Sequence, residues 1–180
     1  MTGPEDHQQR PTTINAQFNP TLNDIRAVRM LLRNFVPTEL ADMILHQAEY
    51  YHVISDYLRR PLAIYDTRTR KADIPILSVL LQSEDEARSI LHASLVIVGH
   101  DQGRSDFPQD RGTTNNSWTW YSIGTGDPKT HEQRLATNLH AVWDPQTHSF
   151  EWNKDSDIVR QLREEWILEV WAHARYVWSL

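Results

Sequence analysis

The first hydrophobic pattern along the chain has the period of a helix. From residue 22 to 35 an apolar side chain recurs every three or four positions, which predicts an amphipathic helix with one apolar face. The residues of this stripe are Leu22, Ile25, Val28, Leu32 and Phe35. Thr21 and Asp24 have the spacing of a capping box, so the helix is expected to begin at Thr21.

A second helix is expected after Pro37, because proline interrupts the first pattern and Thr38-Glu39 restart it. Its predicted apolar face consists of Leu40, Ile44, Ala48 and Tyr51. Residues 21–52 are therefore predicted to form a helical hairpin. Residues 1–20 are polar and contain proline, and we expect them to be a disordered arm.

From residue 53 onward the hydrophobic period changes to that of strands, so we assign residues 53–180 to a β-sandwich. Residues 74–81 and 93–98 are apolar and β-branched, and residues 135–143 alternate between two faces. Residues 144–147 read as a turn, after which 148–152 are expected to return as a hairpin partner of 135–143, with Phe150 and Trp152 on one face. Gly124 to Pro128 reads as another loop. Short, regularly interrupted strands of this kind predict a mainly β (α+β) antiparallel sandwich forming one compact unit with the hairpin.

The end of the chain has two possible readings. Residues 156–165 predict a short helix with Ile158, Val159 and Leu162 inward. Residues 166–178 fit a continued helix, but they also fit a strand with Leu168, Val170, Ala172, Ala174 and Tyr176 on one face. Periodicity alone leaves both readings open.

Composition excludes several classes of function. The chain has 180 residues, no cysteine and a formal charge of −6, which argues against disulfides, thiolate metal sites and non-specific nucleic-acid binding. No secretory signal is recognised at the N-terminus, and no segment approaches the roughly 18 apolar residues of a membrane span. No histidine-pair metal spacing, phosphate loop or dinucleotide fingerprint occurs, so no metal or cofactor is implied. We expect a cytoplasmic protein that binds neither nucleic acid nor membrane.

Candidate chemistry is concentrated in the loop that starts at His100. His100 and Asp101 could act as general base and orienting carboxylate, although such residues also commonly cap backbone N–H groups. Trp118 and Trp120 are two residues apart and so share one face of the following strand, either as core or as a ligand platform.

Further candidates lie on two predicted strands. Asn138 and His140 share one face of the first, and Trp171, His173 and Arg175 share one face of the second. Arg175 could bind a carboxylate or enolate in a bidentate manner. Together these residues predict one pocket for a small molecule. Its catalytic set is His100, Asp101, His140, His173 and Arg175. Its ligand-binding set is Arg111, Trp118, Trp120, Asn138 and Trp171.

Four blocks of sequence resemble a largely uncharacterised family from filamentous fungi. They are the segments 37–51, 100–103 (His-Asp-Gln-Gly), 112–121 (ending Ser-Trp-Thr-Trp-Tyr) and 172–176 (Ala-His-Ala-Arg-Tyr). The resemblance implies an F-box-like helical hairpin followed by a galactose-binding-like or jelly-roll sandwich, and it implies a strand for residues 166–176. Arg104 replaces the family's usual aromatic residue, and the family's last strand is absent. At these two places we expect either an open sheet edge or a widened cleft, and an open edge could pair with a second copy of the chain.

The expected function is a cofactor-independent small-molecule enzyme, a cyclase or isomerase of fungal secondary metabolism. Such chemistry needs aromatic walls and a few hydrogen-bond donors at developing charge, and the candidate residues supply both. The alternative is a non-catalytic binding module, either lectin-like or a partner-recruiting F-box-like adaptor.

Overall fold

The computed structural model describes residues 19–64, 72–102, 105–124 and 133–175. The predicted arm lies outside these ranges except for its last two residues, and so does the predicted loop after Gly124. The chain divides between Ser55 and Asp56 into two compact units, each of which is described by itself.

The first unit contains the two predicted helices, α1 (Leu22–Leu32) and α2 (Thr38–Gln47). The capping box at the start of α1 is confirmed, since Thr21 Oγ1 accepts from the Asp24 N–H while the Asp24 carboxylate accepts from the Thr21 N–H. Arg29 of α1 and Asp42 of α2 form a two-point ion pair, with N···O distances of 2.6 and 2.7 Å. Both partners are nearly half exposed, so solvent screens this pair and it orients the helices more than it stabilises them.

The apolar face predicted for α2 is wrong. Its buried side chains are Ala41 and Leu45, whereas Leu40 and Ile44 are exposed. Apolar residues occur around most of this short helix, so its periodicity did not distinguish one face from the next. Phe35, assigned to the stripe of α1, lies in the turn after that helix and is also exposed.

The second unit combines antiparallel sheets with short helices, which confirms an α+β fold. Its elements in chain order are β1 (Ala72–Leu80), α3 (Glu84–Ser89), β2 (His92–Gly99), a 3-10 helix (Pro108–Asp110), β3 (Thr119–Gly124), β4 (Gln133–Thr137), β5 (Gln146–Asn153), α4 (Asp157–Glu165) and β6 (Ile167–Ala174). One sheet has the strand order β1-β6-β3-β4, and β2 pairs with β5 in a second sheet. The galactose-binding-like sandwich stays a prediction.

Two predictions about residues 135–152 are wrong. The strand ends at Thr137, and the chain then turns through Ala141, which has a left-handed backbone with φ of 55°. In addition, β5 pairs with β2, with Val96 opposite Ser149, and forms no hairpin with β4. The apolar alternation past Thr137 does not follow burial, since Trp143 is exposed whereas Asn138 and His140 are buried.

The strand reading of the C-terminal segment is confirmed from Ile167 to Ala174, while Tyr176 lies outside the described residues. Helix α4 buries Ile158, Val159 and Leu162, as predicted. It ends because Trp166 adopts a left-handed conformation with φ of 62°. The Trp166 carbonyl then accepts from the Leu81 N–H at 2.9 Å, which joins the start of β6 to the end of β1.

The two sheets and α4 share one hydrophobic core. Its buried members are Ile97, Tyr121, Ile123, Ile158, Val170 and Ala172, with Phe150 and Trp152 stacked at its margin. The opposite side of the four-stranded sheet, here called the outer face, carries Asp73, Trp120, Ser122, Arg134, Trp171 and His173. No helix among the described residues is long and apolar enough to cross a membrane.

Candidate functional site

Strand β3 separates the predicted site residues into two groups. The side chains of Thr119 and Tyr121 point to the core side, and those of Trp120 and Ser122 point to the outer face. Asp101 contacts Thr119, whereas His173 contacts Trp120 and Ser122. The expectation of one pocket is therefore wrong, because alternation along a strand sends neighbouring side chains to opposite faces.

The first group centres on a buried carboxylate. Asp101 is 2% exposed, and its Oδ1 accepts from the Thr119 hydroxyl at 3.2 Å. Its Oδ2 accepts from the Ala141 N–H at 3.1 Å. Two hydrogen bonds hold the carboxylate still and offset part of the cost of removing it from water.

His140 lies beside this carboxylate and is 1% exposed. Its Nδ1 is 3.8 Å from Asp101 Oδ2 and has no hydrogen-bond partner among the described residues, while its Nε2 is hydrogen-bonded to the hydroxyl of Ser105. The backbone of His140 is held on both sides by the neighbouring loop, through Thr113 O and Gly112 N. We call Ser105, His140 and Asp101 the loop site.

The hydrogen-bond pattern favours one placement of the protons in the loop site. Ser105 Oγ already accepts from the Phe107 N–H at 2.7 Å, so its own proton is free to point at His140 Nε2. This arrangement favours the His140 tautomer with its ring proton on Nδ1, on the side of the Asp101 carboxylate. The other tautomer would place a bare ring nitrogen against a buried negative charge, which is unfavourable.

His100 is not the base that Asp101 orients, which corrects the predicted pairing. Its Nδ1 bonds to the backbone carbonyl of Asp101 at 2.8 Å, and its ring contacts Trp143 at 5.3 Å between centroids. Trp143 is 67% exposed, and the exposed ring of Phe107 follows Ser105 on the same loop. Exposed aromatic rings thus lie on the two loops that carry the loop site.

The second group lies on the outer face. His173 Nε2 bonds to Ser122 Oγ at 2.7 Å, and His173 Nδ1 bonds to Asp73 Oδ1 at 2.6 Å. The His173 ring stacks on Trp120 at 4.9 Å with an interplanar angle of 9°. Arg175 Nη2 also reaches Asp73 Oδ1, at 2.7 Å. Burial alone would raise the pKa of Asp73, but the hydrogen bonds from His173 and Arg175 outweigh it and lower that pKa below its usual range.

The described residues therefore contain two serine–histidine–aspartate chains, and the exposed member is at opposite ends of the two. On the outer face the aspartate is the exposed member and Ser122 is completely buried, so a substrate could not reach the hydroxyl. In the loop site the aspartate and histidine are buried and Ser105 is partly exposed on a loop. Of these two chains, the loop site is the one that combines a buried aspartate and histidine with a partly exposed serine residue, which is the order that nucleophilic catalysis requires.

The remaining candidates take structural positions. Asn138 donates to Thr119 Oγ1 at 3.1 Å and contacts Tyr121 and His148, so it joins β3 to the loop after β4. The backbone carbonyl of Trp118 accepts a hydrogen bond from the Arg175 N–H. Arg111 is exposed and forms no side-chain hydrogen bond or ion pair with the described residues. Trp171 is half-buried on the outer face.

Sequence reasoning missed Ser105, Ser122, Asp73 and Arg134. Serine is too common for its type alone to mark a site, and the four residues come from separate segments. The one feature of the sequence that pointed to Ser105 as a site residue was its position four residues after Asp101 in the same loop. Arg134 and Asp73 required strand register, which the hydrophobic pattern did not contain.

Among the described residues, no group of three or more histidine, aspartate or glutamate side chains could hold a metal ion. No protein-family model, curated protein or solved structure matches this chain. The fungal family suggested by the sequence blocks stays a prediction.

Proposed function

We propose that the chain is a cofactor-independent enzyme that transfers or hydrolyses acyl groups at the loop site. The observation that carries this proposal is the hydrogen bond between the hydroxyl of Ser105, a partly exposed residue, and the buried His140 ring, with Asp101 behind it. A hydroxyl becomes a useful nucleophile when a base beside it takes its proton. The 3.8 Å separation of His140 and Asp101 is long for a hydrogen bond, and such contacts commonly tighten when substrate binds.

The reaction follows from these positions. Ser105 Oγ adds to the carbonyl carbon of an ester or thioester while its proton moves to His140 Nε2. The carbon–leaving-group bond then breaks as His140 returns that proton to the leaving oxygen or sulfur. Water repeats the two steps on the acyl-serine, which releases the acid and restores the hydroxyl. Asp101 positions the ring and stabilises the imidazolium that forms.

The exposed aromatic rings favour a substrate with an apolar acyl or leaving group. Trp143, Phe107 and the ring of His100 lie on the two loops of the site and would supply contact area for such a group. The cyclase or isomerase of fungal secondary metabolism stays an untested expectation, as does a cytoplasmic location. A buried base such as His140 would also serve proton-transfer chemistry of that kind.

A fluorophosphonate probe on the intact chain tests this proposal, because it reacts with activated serine hydroxyls. We expect one adduct at Ser105, located by peptide mass spectrometry. Ser105→Ala and His140→Gln should each lower the rate of labelling and of p-nitrophenyl butyrate hydrolysis by about 100-fold or more. Ser149→Ala, on the exposed side of β5, is the matched control and should react like the parent. Absence of labelling, or equal labelling of the Ser105→Ala variant, would refute the proposal.

A second candidate, the partner-recruiting module, is favoured by a separate observation. The hairpin unit exposes several large apolar side chains, namely Met30, Leu31, Phe35, Leu40, Met43 and Ile44. Clustered exposed apolar side chains are typical of docking surfaces. In cells that depend on this gene, Phe35→Ser with Met43→Ser should then abolish its function while His140→Gln preserves it. The enzyme proposal expects the reverse.

A further inference from the structure

The outer face of the four-stranded sheet contains a stacked arginine that lacks a carboxylate partner among the described residues. The guanidinium of Arg134 lies 4.5 Å from the centroid of the Trp120 ring. Asp73, a carboxylate of the same face, is shared by His173 and Arg175. Glu169 lies further along β6, opposite Gly124 and Ser78, and forms no ion pair with Arg134.

Stacking prepares Arg134 for an anion. A guanidinium held over an aromatic ring by cation–π attraction leaves N–H donors available for the two oxygens of a carboxylate. Because Trp120 already restrains the side chain, less conformational entropy is lost when a ligand binds. Arg175, 5.1 Å from the centroid of the same ring, adds positive charge to this surface.

Strand register places an aromatic residue within reach of this cation. Ser122 pairs with Arg134 on one side and with Trp171 on the other, so these three residues form one row across β4, β3 and β6. Two strand spacings separate Trp171 from Arg134, about 10 Å between their Cα atoms. Ser122, between them, is completely buried, so a ligand would lie over the two larger side chains and not in the space between them. Trp171 is half-buried.

We propose that this outer-face row binds a small organic acid, with its carboxylate on Arg134 and its planar apolar body against Trp171. The site is separate from the loop site, since it lies on the other side of β3. It does not depend on the acyl-transfer proposal. The chemical class follows from a cation suited to two oxygens beside an apolar ring, a combination that favours an aryl carboxylate over a simple inorganic anion.

Titration of the ¹⁵N-labelled full chain with benzoate, followed at the indole N–H of Trp120, tests this inference. Loss of one resonance in Trp120→Phe identifies the signal. We expect saturable binding of benzoate and none of the isosteric neutral benzamide. Arg134→Gln should weaken benzoate binding at least about tenfold, which is 1.4 kcal/mol. Arg33→Gln, an exposed arginine of the hairpin unit, should bind like the parent.

Two further ligands define the ligand class. Trp171→Ala should weaken benzoate while leaving acetate unchanged, because acetate has no apolar body to lose. The anion site would be overturned if benzamide bound as tightly as benzoate. It would also be overturned if Arg134→Gln bound benzoate with the affinity of the parent. The organic-acid assignment would be overturned if inorganic phosphate bound more tightly than benzoate and its affinity were unchanged in Trp171→Ala. The absence of any saturable shift would overturn both.

Discussion

Gly99 ends β2 where the hydroxyl of Tyr121 passes against its backbone. A Cβ atom built on Gly99 would lie 1.8 Å from Tyr121 Oη and 3.0 Å from its Cζ, so no larger residue fits beside the buried phenol. Asn138 donates to the same hydroxyl at 3.4 Å, which links this contact to the loop after β4. The requirement for glycine here comes from tertiary proximity, because Gly99 and Tyr121 lie on strands of different sheets.

Gly99→Ala is expected to lower the free energy of unfolding by about 1–3 kcal/mol, as an overpacked core site does. The cost should be smaller in the background of Tyr121→Phe, where the nearest atom is gone. A double-mutant cycle from denaturant unfolding measures this coupling. If Gly99→Ala costs the same in both backgrounds, the close approach is not its cause.

At the scale of elements, helix ends were decided by backbone geometry as well as by side-chain pattern. Helix α2 ends in a Schellman motif, in which the Tyr50 N–H bonds to Leu45 O at 3.0 Å and the Glu49 N–H bonds to His46 O at 3.1 Å. Glu49 supplies the left-handed residue with φ of 50° and is exposed. A left-handed conformation strains any residue with a Cβ atom.

Glu49→Gly is therefore expected to stabilise the hairpin unit by about 1 kcal/mol, since glycine adopts this conformation without steric cost. Slower hydrogen exchange of the α2 amides would report the gain. Glu49→Ala removes the same charge but retains the Cβ atom, so it serves as the control and should give no comparable protection. Equal protection in both variants would assign the effect to charge.

At the scale of the whole second unit, the main feature is a core shared by two sheets whose strands come from distant parts of the chain. Strand β2 shows the division most clearly, because Ile97 is 6% exposed and its neighbour Val96 is 64% exposed. Ile97 belongs to the cluster that includes Tyr121 and Val170 of the other sheet. Non-local pairing of β2 with β5 thus places one face of each strand in the core.

Ile97→Ala is expected to lower the free energy of unfolding by about 2–5 kcal/mol, the usual cost of deleting buried methyl groups. Val96→Ala, one residue away on the exposed face, should cost less than about 0.5–1 kcal/mol. Guanidinium unfolding followed by tryptophan fluorescence compares the two. Similar costs at both positions would contradict the assignment of the core face.

The hydrophobic pattern predicted helices and strands well where the spacing of apolar residues fitted a helix or a strand but not both. The capping box of α1, the inward residues of α4 and the strands β1 and β2 were all evident from short stretches of sequence. The site was less predictable: Asp101 and His140 were chosen for their chemistry, yet Asp101 was assigned to the wrong histidine. A residue's chemical type is local information, whereas its partner depends on which loops meet.

The sequence by itself determined the α+β class, the positions of most helices and strands, and the loops rich in titratable residues, because these depend on periodicity and residue type. Tertiary structure decided that β5 pairs with β2 and that β3 separates two polar clusters, since strand partners and faces are set by contacts between distant segments. It also decided that Ser105 meets His140, across 35 positions of sequence. Packing alone brings those two side chains together.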